Sequence, residues 1–229
     1  MDKRGSESYY VLGEGLLAES GYGREPTLAA AAESLTAPFR FSRMGPSGVH
    51  HQLSESNRKK VANAMAGGGG GASRIPAGFT YLGQFTDHDL TFDRTVVTLG
   101  TSVTPADLLQ ARSPSLDLDS LYGAGPTDPG SAHFYEADGL HLRMGKTVAS
   151  DGVPAKDGFD LPRVGTGSTK KARRRALIPD KRNDENLAVA QTHLAFIRFH
   201  NRVADSLPAG LTDAQRFAQT RELVVKHYQ

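Results

Sequence analysis

Apolar residues recur at helical spacing in four stretches of the chain, whereas alternation at strand spacing is short and scattered. Residues 54–66, with Arg58, Val61 and Met65 at intervals of three and four, read as a helix that the glycine run at 67–71 stops, because glycine loses the most backbone entropy in a helix. Phe79, Leu82, Phe85 and Leu90 give a short amphipathic helix after a loop built on Pro76 and Gly78. The clearest pattern is Leu187, Ala190, Leu194, Ile197 and Ala204 over residues 185–207, which Pro208 ends. Thr212 with Gln215 three residues on is a capping-box signal, and Phe217, Val224 and Tyr228 share the face of the helix it starts.

What lies between is weakly regular. Residues 1–54 alternate Gly, Ser, Pro and charge, and read as an irregular N-terminal arm ahead of a domain spanning 55–229. Residues 91–180 read as loops, with one hairpin near 134–144 around Asp138-Gly139. The expected class is mainly α, with long loops.

Composition narrows the chemistry. The chain has 229 residues, enough for one large domain, and a net charge of +2 with both signs interspersed, which argues against nucleic acid as a partner. No stretch is apolar for long enough to be a membrane span, and residues 1–21 lack the apolar middle of a secretory signal, so a soluble protein is expected. With no cysteine there is no disulfide, thiolate ligand or cysteine nucleophile. Any metal must be held by histidine, carboxylate and carbonyl groups.

Three segments carry candidate chemistry. In Gly83-Gln84-Phe85-Thr86-Asp87-His88-Asp89, helical spacing lets Gln84, Asp87 and His88 face one pocket while Asp89 turns to another side. The same residues would also make a polar surface turn, and a mononuclear site of Asp87, His88 and Asp93 is a further alternative, though it lacks the i, i+4 histidine pair of the common zinc helix. Ser113, Ser115, Asp117 and Asp119 place an oxygen at every second position, a pattern that can bend round a hard cation or form a solvated acidic loop. Arg182 and Glu185, three apart at the entry to the long helix, can share a face as functional groups or as a surface ion pair. His193 and His200 lie seven apart, roughly 10 Å along a helix, too far for one metal, and read as packing histidines.

Taken in order, these segments, with Leu116 to Gly123 and the run HLAFIRFHNR from His193 to Arg202, resemble the animal-type haem peroxidases of the peroxidase–cyclooxygenase superfamily. Arg74-Ile75-Pro76-Ala77-Gly78-Phe79-Thr80-Tyr81-Leu82 resembles the bacterial branch, and the likeness runs from Arg58 to Gln229. It implies haem b as cofactor, with His88 as the distal acid–base histidine, Arg182 as the distal arginine and Gln84 as the distal glutamine. Asp87 and Glu185 match the carboxylates that form ester links to haem methyl groups in some members. Asp89, Ser113, Ser115, Asp117 and Asp119 match the ligands of a calcium ion, and Asn186 stands where the family often has methionine, so the sulfonium link of one subgroup is not expected.

The implied partners are hydrogen peroxide and a small donor or halide. The family's proximal histidine comes after the position of Gln229, and the last helix meets no glycine or proline exit, so the expectation is a distal half, inactive alone, completed by a C-terminal segment or a second chain. Two other readings belong beside this one. A fatty-acid dioxygenase of the same superfamily would often lack an arginine at position 182, and a non-catalytic calcium-stabilised scaffold would have no need for Gln84, His88 and Arg182 together.

Overall fold

A computed structural model of the chain describes residues 53–67, 74–96, 98, 109–112, 115–208 and 210–229, together with the backbone of three short strands nearer the N-terminus. Those strands are β1 (Ser8–Val11) and β2 (Gly15–Glu19), an antiparallel pair, and β3 (Phe39–Arg40), which pairs antiparallel with β4 (Leu109–Gln110). The rest of the expected arm, most of the glycine run at 67–71, and Ser113 lie outside the described residues.

The architecture is mainly α, as expected. The helices are α1 (Glu55–Gly67), α2 (Gly78–Leu90), a single turn α3 (Asp119–Tyr122), α4 (Lys170–Arg174), α5 (Leu187–Ser206) and α6 (Asp213–Tyr228). One further two-stranded pair, β5 (Gly145–Lys146) with β6 (Asp157–Asp160), lies in the middle region. No helix among the described residues is long and apolar enough to cross a membrane.

The core forms where α2, α5 and α6 meet. In α5, Val189, Ala190, His193, Leu194, Ile197, His200, Asn201 and Ala204 are buried, the i, i+3, i+4 stripe of an amphipathic helix. Phe85 of α2 stacks on Phe196 of α5 with ring centroids 4.9 Å apart, and meets Tyr228 of α6 edge-on at 6.1 Å. The capping box of α6 is formed in both directions, Thr212 Oγ1 accepting from Gln215 N and Gln215 Oε1 from Thr212 N. The main apolar faces of α5 and α6 thus cover each other and α2. Helix α1 is formed as expected but lies on the surface, with Val61 and Met65 exposed.

The long helix begins later than its apolar pattern suggested. Residues Lys181–Asp184 form a separate 3-10 turn, and Asn186 is the N-cap of α5, its Oδ1 accepting from Val189 N at 2.9 Å. Arg182 and Glu185 are therefore not on one helix face; they belong to a tight turn ahead of it.

The hairpin at 134–144 is present, with Tyr135 bridged to Leu142, and α5 anchors it. Asn201 uses both ends of its amide on the Leu142 backbone, and His200 Nε2 donates to the Leu140 carbonyl while its Nδ1 faces the Tyr122 hydroxyl at 3.1 Å. His141 joins the hairpin tip to the end of α5 through Asp138 and Asp205. Partial burial pulls its pKa down, but hydrogen bonds and charge from the two carboxylates outweigh this and raise it. A raised histidine value stabilises the fold below its ordinary pKa of about 6.5, and this contribution fades as pH rises through the higher folded value. Solvent screens the group, so less than about 1 kcal/mol is at stake. In urea titrations, His141→Gln should be weaker than wild type at pH 6 and nearly equal at pH 9; equal deficits at both would show the charge plays no part.

Candidate functional site

Helix α2 divides the residues of the first segment between two environments. Phe85, His88 and Asp89 are buried, Gln84 is half-buried and Asp87 is exposed. His88 and Asp89, adjacent in sequence, are swung apart by the helix, so the imidazole looks toward the 3-10 turn and the carboxylate toward the loop before α3.

The 3-10 turn is tied to α2 by a dense set of bonds. Asp180, its N-cap, takes two bonds from the Arg182 guanidinium and a third from its backbone N, and forms an ion pair with Arg112. Burial alone would push the Asp180 carboxyl up, but the bonds and charge of the two arginines prevail and hold it at about 2. Arg182 Nη2 also donates to the carbonyls of His88 at 2.8 Å and Thr91 at 2.6 Å, and its plane lies 4.7 Å from the centre of the Phe92 ring, which Arg112 and Arg94 also face. The Nε and Nη2 edge of Arg182 is thus committed to the frame, leaving Nη1 as the donor outside this set.

Two further links cross from α2 to the start of α5. Gln84 Nε2 donates to Glu185 Oε2 at 3.3 Å, and Gln84 Oε1 accepts from Asn186 Nδ2 at 3.1 Å. Beneath them, His88 Nδ1 is 2.8 Å from Asn183 Oδ1, and Asn183 Nδ2 is 2.9 Å from His193 Nδ1. Asn183 and His193 have no exposed surface, and burial pushes His193 down to about 3 despite the nearby Asp180 charge.

On the other side of α2, the carboxylates of Asp89, Asp117 and Asp119 converge, with one oxygen from each within 4.8 Å of the others, and all three residues are buried. Asp89 accepts from the backbone N of Leu118 and Ser120 and from Ser120 Oγ, which wraps the loop round it. Leu118 adopts φ +60°, a left-handed conformation rare for leucine and the kind of strain held where surrounding bonds fix a loop. Arg112, already paired with Asp180, reaches Asp119 at 3.4 Å. Burial first, and the charge of Asp117 second, raise the Asp89 carboxyl to about 6. Gln229 Nε2 donates to the Leu116 carbonyl, so the end of the chain closes over this loop. Ser115 is half-buried in it, whereas the Asp87, His88 and Asp93 alternative is not assembled: Asp93 is exposed and its carboxylate accepts from Thr95 N.

Residues 74–229 match the animal haem peroxidase family, a stretch that takes in α2, the carboxylate loop, the 3-10 turn, α5 and α6. The chain belongs to that family. No match was found among curated proteins. Animal haem peroxidases are oxidoreductases that bind haem, and the exposed residues of α2 and of the start of α5 are chemically compatible with such a group. Phe79 and Leu187 are exposed at 64% and 79%, Gly83 between the α2 carboxylate and Phe79 meets nothing within 4 Å of where a Cβ would stand, and Asp87 and Glu185 are exposed beside it. Exposed apolar side chains, an uncrowded glycine and exposed carboxylates on α2 and at the start of α5 are groups that a flat, largely apolar macrocycle with polar edges can use.

Sequence reasoning missed Asn183, Asp180, Arg112, Phe92 and the capping role of Asn186. Only Asn186 carried a local signal, an asparagine just before an apolar helical run. The others act through contacts spanning up to about 100 residues of chain, and no periodicity encodes those.

Proposed function

We propose that this chain is the distal part of a haem peroxidase that uses hydrogen peroxide to oxidise small donors or halides. What supports the reading is the way α2 is bonded to the turn before α5, Gln84 to Glu185, His88 to Asn183 and the His88 carbonyl to Arg182, across about 100 residues of chain. Haem, held against α2 and the start of α5, would supply the redox chemistry of its iron. The chain's own part is proton handling: the His88 imidazole takes a proton from one peroxide oxygen and delivers it to the departing one. Gln84 orders the solvent at the rim, and Arg182 sets a permanent positive charge beside the reacting oxygens. Asp87 and Glu185, both exposed, are available for ester links to haem methyl groups. In this reading a histidine from a C-terminal segment or a second chain would ligate the iron, a role for which His193 and His200 are unsuited because each is fully enclosed with Nδ1 engaged.

Calcium belongs to the same reading, held by Asp89, Asp117 and Asp119 with Ser113 and Ser115. The donor set fits: three buried carboxylates converge and offer oxygen only, and Arg112, which reaches Asp119, is already bound to Asp180. Because Asp89 is raised to about 6 without a cation, calcium must displace a proton as the pH falls through that value. Calcium affinity measured by calorimetry should drop by about tenfold per pH unit below 6 and level off above it, and Asp117→Ala should abolish it. Affinity independent of pH and of Asp117 would remove the ion from this loop.

The decisive experiment is co-expression of the chain with its downstream segment, loading with haem, and steady-state oxidation of halide and phenolic donors with hydrogen peroxide. Oxygen uptake with a polyunsaturated fatty acid is measured on the same sample. Peroxide turnover without oxygen uptake supports the reading; oxygen uptake alone makes it a dioxygenase, and haem binding with neither activity leaves the scaffold.

A further inference from the structure

We propose that Asn183, itself held by His193, is a positioning residue that keeps the proton of His88 on Nδ1 and so leaves Nε2 as the lone pair that receives the peroxide proton. The inference rests on the peroxidase reading only for the use to which that lone pair is put.

The argument begins with what each atom can do. A carboxamide oxygen only accepts, so the 2.8 Å contact between Asn183 Oδ1 and His88 Nδ1 requires a hydrogen on that nitrogen. A neutral imidazole carries one such hydrogen, and Nε2 is then bare. The other end of the amide faces a second imidazole. Asn183 Nδ2 donates to His193 Nδ1 at 2.9 Å, which requires His193 to be neutral with its hydrogen on Nε2. Turning the amide over would put its NH2 group against the His88 N–H and its oxygen against a bare His193 nitrogen, unless both imidazoles changed tautomer together. Water cannot intervene, since Asn183 and His193 are fully buried.

The environment of His193 keeps that imidazole uncharged. Its ring lies edge-on to Phe85 with centroids 5.9 Å apart, and burial keeps it neutral across any ordinary pH. A charged His193 would carry hydrogen on Nδ1 and force the amide round. The chemistry also explains why an amide suits the position better than a carboxylate. Either accepts from Nδ1, but a carboxylate draws the imidazole toward its charged form, in which Nε2 is no longer a base. The amide orients without charging. It also binds both rings, which a single hydroxyl could not do with the same rigidity.

The backbone reinforces the alignment. Asn183 sits in the 3-10 turn capped by Asp180, and Arg182 in the same turn donates to the His88 carbonyl, so the amide and the α2 backbone are held by adjacent residues. A shift of the turn would move both contacts to His88 together.

The test is direct reading of the tautomer. The full chain, labelled with 15N-histidine and without haem, is examined at pH 8 by long-range 1H–15N correlation, His88 being assigned by loss of its signals in His88→Gln. In the wild type, Nδ1 should be protonated and Nε2 bare. In Asn183→Leu, which has the same branched shape and no acceptor, the proton should move mainly to Nε2, the usual preference of a free neutral imidazole. Asn183→Asp should retain it on Nδ1. In the haem-loaded, completed protein, Asn183→Leu should slow the bimolecular reaction with peroxide by roughly 10–100-fold, part of the general acid–base contribution, with haem affinity unchanged, and Asn183→Asp should recover rate only at high pH, where the imidazole it draws toward the charged form is neutral. A wild-type His88 protonated on Nε2, or a tautomer unaltered in Asn183→Leu, overturns the assignment without touching the peroxidase reading. Undiminished reaction with peroxide in His88→Ala overturns that reading instead, and with it the use of the lone pair.

Discussion

Replacing His88 by Ala slows the reaction of the haem-loaded, completed protein with hydrogen peroxide by about 10²–10⁴-fold, the range that a positioned acid–base group contributes. In the proposed mechanism the effect falls on the chemical step, because His88 would supply a proton route and little of the apolar contact that holds a macrocycle. Phe79, Leu187, Asp87 and Glu185 are untouched by the change, so haem still binds. Stopped-flow absorbance at a series of peroxide concentrations isolates the bimolecular step, and an unchanged slope in His88→Ala would remove the residue from the mechanism. Arg182→Lys gives a smaller loss of rate with a cost in stability, since a lysine cannot reproduce the bonds of the guanidinium to Asp180, His88 O and Thr91 O together.

Asp180→Ala produces the largest loss of stability, on the order of 3–5 kcal/mol, because it leaves Arg112 and Arg182 without their shared carboxylate in a partly buried place. Their side chains are 11% and 23% exposed, so water recovers part of the cost and the lower end of that range is expected. The pH dependence follows from the depressed value. Asp180 at about 2 contributes stability that is fully present above the ordinary carboxylate pKa near 4 and disappears as pH falls toward 2. Urea unfolding of wild type and Asp180→Ala from pH 7 down to 2 tests both points: the variant should be weaker throughout the neutral range, and the gap should narrow as pH falls from about 4 toward 2. A difference below about 0.5 kcal/mol at pH 7 would show that the arginines find other partners at little cost.

The helical elements were legible because their cause is local. The stripe of α5 and the capping box of α6 are written in spacings of three and four residues, and the histidines at 193 and 200 fall on that stripe, so their burial followed from position alone. The start of α5 was misplaced because Glu185 continues the helical pattern in sequence, whereas the cap at Asn186 wins by satisfying the Val189 N–H. The hairpin at 134–144 followed from its Asp-Gly turn, but what holds it, Asn201 and His200 reaching across about 60 residues, did not.

For the site, the sequence by itself determined which residue types are present, and, through the order of its motifs, the family to which they belong. The helical period also determined that His88 and Asp89 must look in different directions. Only the tertiary structure decided that Asp89 meets Asp117 and Asp119, that Arg182 spends one edge on the backbone of α2, and that Asn183 stands between two imidazoles. The division has a physical cause. Periodicity and capping act between neighbours, so a sequence displays them, whereas the pairing of a buried donor with a distant acceptor is set by the packing of α2 against α5 and the turn before it.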